Sequence, residues 1–143
     1  MIKKTIGRIE KVDFPEFELL DIESKVDTGA YTSAIHTHKI VETIINGENL
    51  INFTLLDPKH IQYNEKEFRT KNYSKKIIKS SNGTSEERFV INTTVTLFNE
   101  THNIELTLSE RSDMKYPILL GRKFLTNKFI VDTSQKNNSY KSK

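Results

Sequence analysis

The apolar residues of this chain fall in strand-length runs closed by turn formers, a pattern that leaves little besides a β-rich fold. Thr5 to Phe14 sets Ile6, Ile9, Val12 and Phe14 among polar residues, an imperfect period of two that suits a strand carrying a bulge, and Pro15 closes it. Phe17 to Val26 alternates through Leu20, Ile22, Ser24 and Val26 and delivers the chain to Asp27. Further strands are predicted at Ser33 to His38, Ile40 to Ile45 and Leu50 to Leu56, the last two joined by the hairpin signal Asn46-Gly47-Glu48-Asn49. From Asp57 to Lys79 polar residues dominate, so loops or an edge excursion are expected, with strand-like pieces at Phe68 and Ile77-Ile78. The turn formers Ser80-Ser81-Asn82-Gly83-Thr84 precede paired strands at Phe89 to Phe98 and Asn103 to Leu108, joined through Asn99-Glu100-Thr101-His102. Arg122 to Asn127, entered after Gly121, reads as one short helix, and Phe129 to Asp132 as the last strand. Residues 134–143 have almost nothing to bury and read as a disordered basic tail, which leaves 1–133 as the folded domain. Strands with one helix favour a small barrel-like or sandwich domain over an alternating α/β sheet.

Composition narrows the function. A length of 143 residues suits one domain, and the short apolar runs exclude a spanning helix. Cysteine is absent, which excludes a disulfide framework, a thiolate metal site and a cysteine nucleophile. The net charge of +3 is 22 basic residues less 19 acidic ones, and Lys71, Lys75, Lys76, Lys79, Lys136, Lys141 and Lys143 supply much of the surplus. A solvated surface accounts for them, so neither a nucleic acid nor a membrane is expected as a partner. Met1-Ile2-Lys3-Lys4-Thr5-Ile6-Gly7-Arg8 lacks the apolar stretch of a secretory signal, and a cytoplasmic location is expected. Leu120-Gly121-Arg122-Lys123 does not have the frame of a phosphate-binding loop, and no cofactor is expected.

Two strings carry most of the chemistry. In Lys25-Val26-Asp27-Thr28-Gly29-Ala30-Tyr31-Thr32-Ser33, an acid at a strand end meets a small hydroxyl residue and a glycine. The backbone can turn sharply there and bring N–H donors to the carboxylate, which keeps it ionised. The same residues also make an ordinary Asp-initiated turn. In Met114-Lys115-Tyr116-Pro117-Ile118-Leu119-Leu120-Gly121-Arg122-Lys123-Phe124-Leu125, a buried strand turns at Gly121 into the short helix. Gly121 permits close chain approach, and Arg122 is either a buried structural ion-pair donor or a substrate contact. His36-Thr37-His38 places two imidazoles at alternate positions, where they could share a strand face and hold zinc with an acid such as Asp57; the plain alternative is ordinary strand histidines.

Asp27-Thr28-Gly29-Ala30, followed about ninety residues later by Ile118 to Leu125, resembles the two signature segments of retropepsins, the dimeric aspartic proteases of retroviral type. More closely, Val26 to His36, Glu87 to Ile91 and Met114 to Asp132 resemble the bacterial and archaeal family labelled ATP-dependent zinc protease, the RimK-associated retropepsin-like proteins. The resemblance covers roughly residues 5 to 133 and implies an all-β, closed retropepsin barrel with one short C-terminal helix. It implies a homodimer in which two Asp27 carboxylates share a proton at about 3 Å and activate water for peptide hydrolysis. Thr28, Gly29 and Ala30 would support that dyad, Asn82, Gly83 and Thr84 would form a flap tip, and Gly121 and Arg122 would be structural. The terminal strands, Thr5 onward and Phe129 to Asp132, would pair between subunits. A peptide or protein substrate and a functional link to a RimK-type ligase follow from the same resemblance. The alternatives are a non-catalytic peptide-binding dimer of the same fold and a zinc-dependent hydrolase using His36 and His38. Retroviral enzymes pair the arginine after the second-segment glycine with an acid where this chain has Tyr31, so the partner of Arg122 is left open.

Overall fold

In a computed structural model that describes residues 2–79, 82–111 and 114–143, the chain is built almost wholly of strands. In order they are β1 (Lys4–Ile6), β2 (Ile9–Phe14), β3 (Leu19–Val26), β4 (Ser33–Ile45), β5 (Glu48–Leu55), β6 (Glu67–Thr70), β7 (Ser74–Lys79), β8 (Ser85–Leu97), β9 (Glu100–Ser109), β10 (Ile118–Leu120) and β11 (Phe129–Val131). Two short helices, α1 (Arg122–Leu125) and α2 (Asn138–Lys141), and a 3-10 turn at Pro15–Phe17 complete it.

The turns follow the side chains. Asn46 and Gly47 both have positive φ, 52° and 79°, so β4 and β5 meet in a two-residue turn at the Asn-Gly pair and Glu48 and Asn49 belong to the strand. Phe98 and Asn99 turn the chain between β8 and β9 in the same way, with φ of 52° and 60°. A left-handed Phe is unusual; its N–H donates to Ser139 Oγ at 2.8 Å and its ring lies 6.4 Å from that of Phe129. The predicted bulge in the first strand divides into two features, a break at Gly7-Arg8 and a register shift between Val12 and Phe14.

The main sheet runs β10-β3-β2-β8-β9-β4-β5-β6, with β7 branching from β8 and a second pairing of β10 to β4. β10 lies parallel to β3, matching Leu120 to Val26, and β4 lies parallel to β9. Side chains from these strands bury Val12, Phe14, Ile22, Ile35, Leu106, Leu108, Ile118 and Leu120 in the core.

The expected closed barrel with one helix is corrected on both counts. Among the described residues the sheet as a whole runs out to edge strands at β6 and β7, β1 and β11 form a separate two-stranded parallel sheet, and two helices are present. The cause lies in the segment read as loop and in its neighbours. Ser33–Ile45 is one continuous strand with a register shift between Thr37 and Lys39, and β5 and β6 extend it outward. Phe17, Phe53 and Phe68 form a ring cluster with centroids 4.9 to 6.2 Å apart that gives this arm its own apolar packing, so the sheet continues instead of ending.

The segment expected to be a disordered tail folds back instead. Arg8 N–H donates to Gln135 O and Asn137 N–H to Ile9 O, both at 2.8 Å. Glu10, fully buried, accepts from Gly7 N–H at 2.8 Å, Ser139 N–H at 2.9 Å and Asn138 N–H at 3.2 Å. The terminal strands pair with each other within the chain, Lys4 beside Phe129 and Ile6 beside Val131. Among the described residues no helix is long and apolar enough to cross a membrane.

Candidate functional site

Asp27 leaves the end of β3 with its N–H donating to Leu120 O at 2.9 Å, so the parallel neighbour β10 sets where the loop begins. Gly29 N–H donates to Asp27 Oδ1 at 3.1 Å, and Ala30 N–H to Asp27 O at 3.2 Å. The acid is thus turned onto its own loop, in the arrangement that the Asp-Thr-Gly order allows. Asp27 and Ala30 are half-buried while Thr28 and Gly29 are exposed.

The second string clasps the first. Arg122 N–H donates to Ala30 O at 2.8 Å, Lys123 N–H to Tyr31 O at 2.9 Å, and Gly121 N–H to Ser33 Oγ at 3.0 Å. Arg122 is exposed, not buried in an ion pair. Its Nη1 donates to Thr28 O at 2.9 Å, and its guanidinium sits 5.8 Å from the centroid of the Tyr31 ring. Tyr31 therefore takes the place of an acidic partner, offering a π face where a carboxylate would otherwise stand.

Asn82, Gly83 and Thr84 lie at the tip of the hairpin that joins β7 to β8; Ser80 and Ser81 lie outside the described residues. Gly83 has φ of 86°, and Asn82 Oδ1 accepts from Thr84 N–H and Oγ1 at 3.2 and 2.8 Å. The hairpin is tethered at its middle. Glu105 on β9 binds Lys76 of β7 through one carboxylate oxygen and Lys123 of α1 through the other, the latter at 2.8 Å. Hydrogen bonds from Lys123 and Lys76 hold the Glu105 carboxyl below its usual range. Sequence reading missed this bridge because its three charges come from strands and a helix far apart in the chain.

His36 and His38 do not present themselves together. The register shift between Thr37 and Lys39 turns the strand, so His36 is buried at 5% exposure while His38 is exposed with its ring edge-on to Tyr63 at 5.8 Å. Burial lowers the His36 pKa and nearby His38 lowers it further, against an opposing pull from Asp57. Among the described residues no three His, Asp or Glu side chains gather as metal ligands would.

A family model described as RimB-like, retropepsin-like aspartic endopeptidase RimB, matches residues 5–142. The chain belongs to the RimB-like family. Curated relatives of this RimB-like chain include a protein of Desulfotalea psychrophila, 38% identical over 91% of this chain, and one of Shewanella pealeana, 37% identical over 93%. Both are named "Probable alpha-L-glutamate ligase", which links the family to the glutamate ligases. The chain spans only 28% and 29% of their lengths. A crystal structure of a Legionella pneumophila protein of unknown function has the same fold, with a TM-score of 0.76 at 23% identity, covering 96% of this chain and 99% of that one.

These findings correct the reading of an aspartic-type endopeptidase acting through paired Asp27 carboxylates. The curated relatives carry the name of a ligase and not of a peptidase, and the sheet as a whole does not close, since β5, β6 and β7 run on outside the strands that β10 joins. The terms protease, peptidase and hydrolase fall with that reading. The zinc-dependent hydrolase falls because His36 is buried while His38 is exposed and, among the described residues, no third ligand gathers with them.

Proposed function

We propose that this RimB-like chain is a non-catalytic peptide-binding module that works as a homodimer in support of α-L-glutamate ligation. One observation carries the reading: the Asp27–Ala30 loop is clamped from behind by Gly121, Arg122 and Lys123, while Thr28 and Gly29 at its tip stay exposed. A rigid, exposed loop with a glycine at its tip suits a peptide, whose extended chain can lie close along it. Asp27 shapes the loop, Gly29 admits a peptide backbone, and the hairpin tip at Asn82, Gly83 and Thr84 covers the bound segment. The exposed guanidinium of Arg122 beside the loop favours an acidic peptide, the kind of product that glutamate ligation yields. A cytoplasmic setting beside a ligase partner goes with this role.

Calorimetric titration of the protein with a peptide ending in several α-linked glutamates, and with the same peptide unextended, tests the reading. Binding of the extended peptide by at least about tenfold over the other is expected, retained in Asp27→Asn and weakened in Arg122→Gln, with the peptide intact by mass spectrometry. Sedimentation is expected to give twice the chain mass. Peptide cleavage that Asp27→Asn abolishes, or equal affinity for both peptides, overturns it.

A further inference from the structure

The arm of β4, β5 and β6 has two faces with different surroundings. Phe53 and Phe68 turn the inner face to Phe17 and the core. Cross-strand partners share a face, so the register assigns the outer one: a base row of Lys39, Thr54 and Glu67 and, next to it, a row of Val41, Asn52 and Arg69. The hydrogen bond from Arg69 Nε to Asn52 Oδ1, 2.8 Å, confirms that row. Thr54 at the centre of the base row is buried, but towards the tip the face is open and apolar. Val41 is 53% exposed and Ile45 42%, with half-buried Leu50 beside them on β5.

The charges of this face are complementary to those of its own copy. Lys39 stands on β4 at one end of the base row and Glu67 on β6 at the other; both are exposed, and among the described residues neither has an ion-pair partner. A two-fold axis along β5, midway between two such faces, lays β4 of one copy over β6 of the other. Lys39 then meets the partner's Glu67, and Glu67 the partner's Lys39. Leu50 packs on the partner's Leu50, and the aliphatic stem of Arg69 covers the partner's Val41. Opposite signs at the two ends of one row are what this rotation requires, since equal signs would set like charge against like.

We propose that this face is the homodimer interface, two copies of the chain stacking arm on arm with reciprocal Lys39–Glu67 pairs beside an apolar centre of Val41 and Leu50. The inference rests on the homodimeric reading and gives that dimer its surface. The terminal strands, the surface first expected to join two copies, are already paired with each other within the chain. Stacking through the outer face leaves the Asp27 loop and the hairpin of β7 and β8 outside the contact.

Sedimentation equilibrium of the 143-residue chain over a range of concentrations, with Lys39→Glu, Glu67→Lys and the double exchange, tests the interface. Each single change sets like charges together at two places in the dimer and is expected to weaken association at least about tenfold. The double exchange restores both pairs with their signs reversed and is expected to return the affinity to within about threefold of wild type. The unfolding midpoint of each variant shows that it folds. A wild-type dimer that both single changes leave intact, or a dimer that they weaken and the double exchange does not restore, overturns the arm interface while the homodimer stands. A wild-type monomer at every concentration overturns both.

Discussion

A β-carbon on Gly121 would lie 2.5 Å from the carbonyl oxygen of Thr32 and 2.7 Å from that of Tyr31, both backbone atoms that cannot swing aside. The φ of Gly121, −94°, is open to any residue, so the need for glycine here is space and not conformation. Gly121→Ala is therefore expected to push the clasp off the Asp27 loop and to destabilise the fold by about 1–3 kcal/mol, measured by chemical denaturation. His36 makes a different demand. Its pKa is lowered below the ordinary value of 6.5 by burial, so the unfolded chain binds the proton more readily than the folded one. Stability contributed by the neutral ring is present above pH 6.5, declines as the pH falls below it, and levels off beneath the lowered pKa. Comparing denaturation midpoints of wild type and His36→Gln between pH 8 and pH 5 is expected to show that decline in the wild type and a flatter profile in the variant.

The hairpin of β7 and β8 is an exposed element whose attachment depends on charge. β7 buries little, and its residue Lys76 reaches the Glu105 carboxylate that also receives Lys123. With the Glu105 pKa lowered in the fold, the bridge contributes above the unfolded value of about 4.5 and is lost as the pH falls through the lowered one. Glu105→Gln is expected to raise amide exchange rates along β7 at neutral pH, with little change in global stability, as befits a solvent-facing ion pair. Once the pH has fallen below the lowered Glu105 pKa, the two proteins are expected to exchange alike. The arm of β4, β5 and β6 is secured otherwise, by the aromatic cluster of Phe17, Phe53 and Phe68, and salt is expected to leave it unchanged.

The molecule is sewn together through its two ends. Gly7, which a β-carbon would press to within 2.2 Å of Gln135 O, lets the first and last segments lie in contact, and buried Glu10 receives the N–H groups of Gly7, Asn138 and Ser139. Losing that acceptor strands several buried donors, so Glu10→Ala is expected to cost about 2–4 kcal/mol. Removal of residues 133–143 is expected to destabilise comparably, and the two changes together to cost much less than their sum, because most partners of Glu10 leave with the tail. Urea denaturation of the four proteins in the cycle gives the comparison. A disordered tail would instead leave truncation silent.

What could be read in the sequence was local. Period-two runs located most of the strands, Asn46-Gly47 marked its hairpin, and the Asp-Thr-Gly and Leu-Leu-Gly-Arg strings pointed to two segments that prove to be hydrogen-bonded together. Those features depend on neighbours a few residues apart, and backbone sterics with hydrophobic alternation suffice for them. The open arm, the buried Glu10 and the pairing of Arg122 with Thr28 O and the Tyr31 ring were decided only in three dimensions. A polar stretch such as Glu67–Thr70 becomes a strand because Phe68 finds Phe17 and Phe53, and a charged tail becomes ordered because one distant carboxylate satisfies its backbone. Nothing within a few residues of either segment announces its partner, and burial of shared apolar and hydrogen-bonding surface, available only once the chain has closed on itself, settles both.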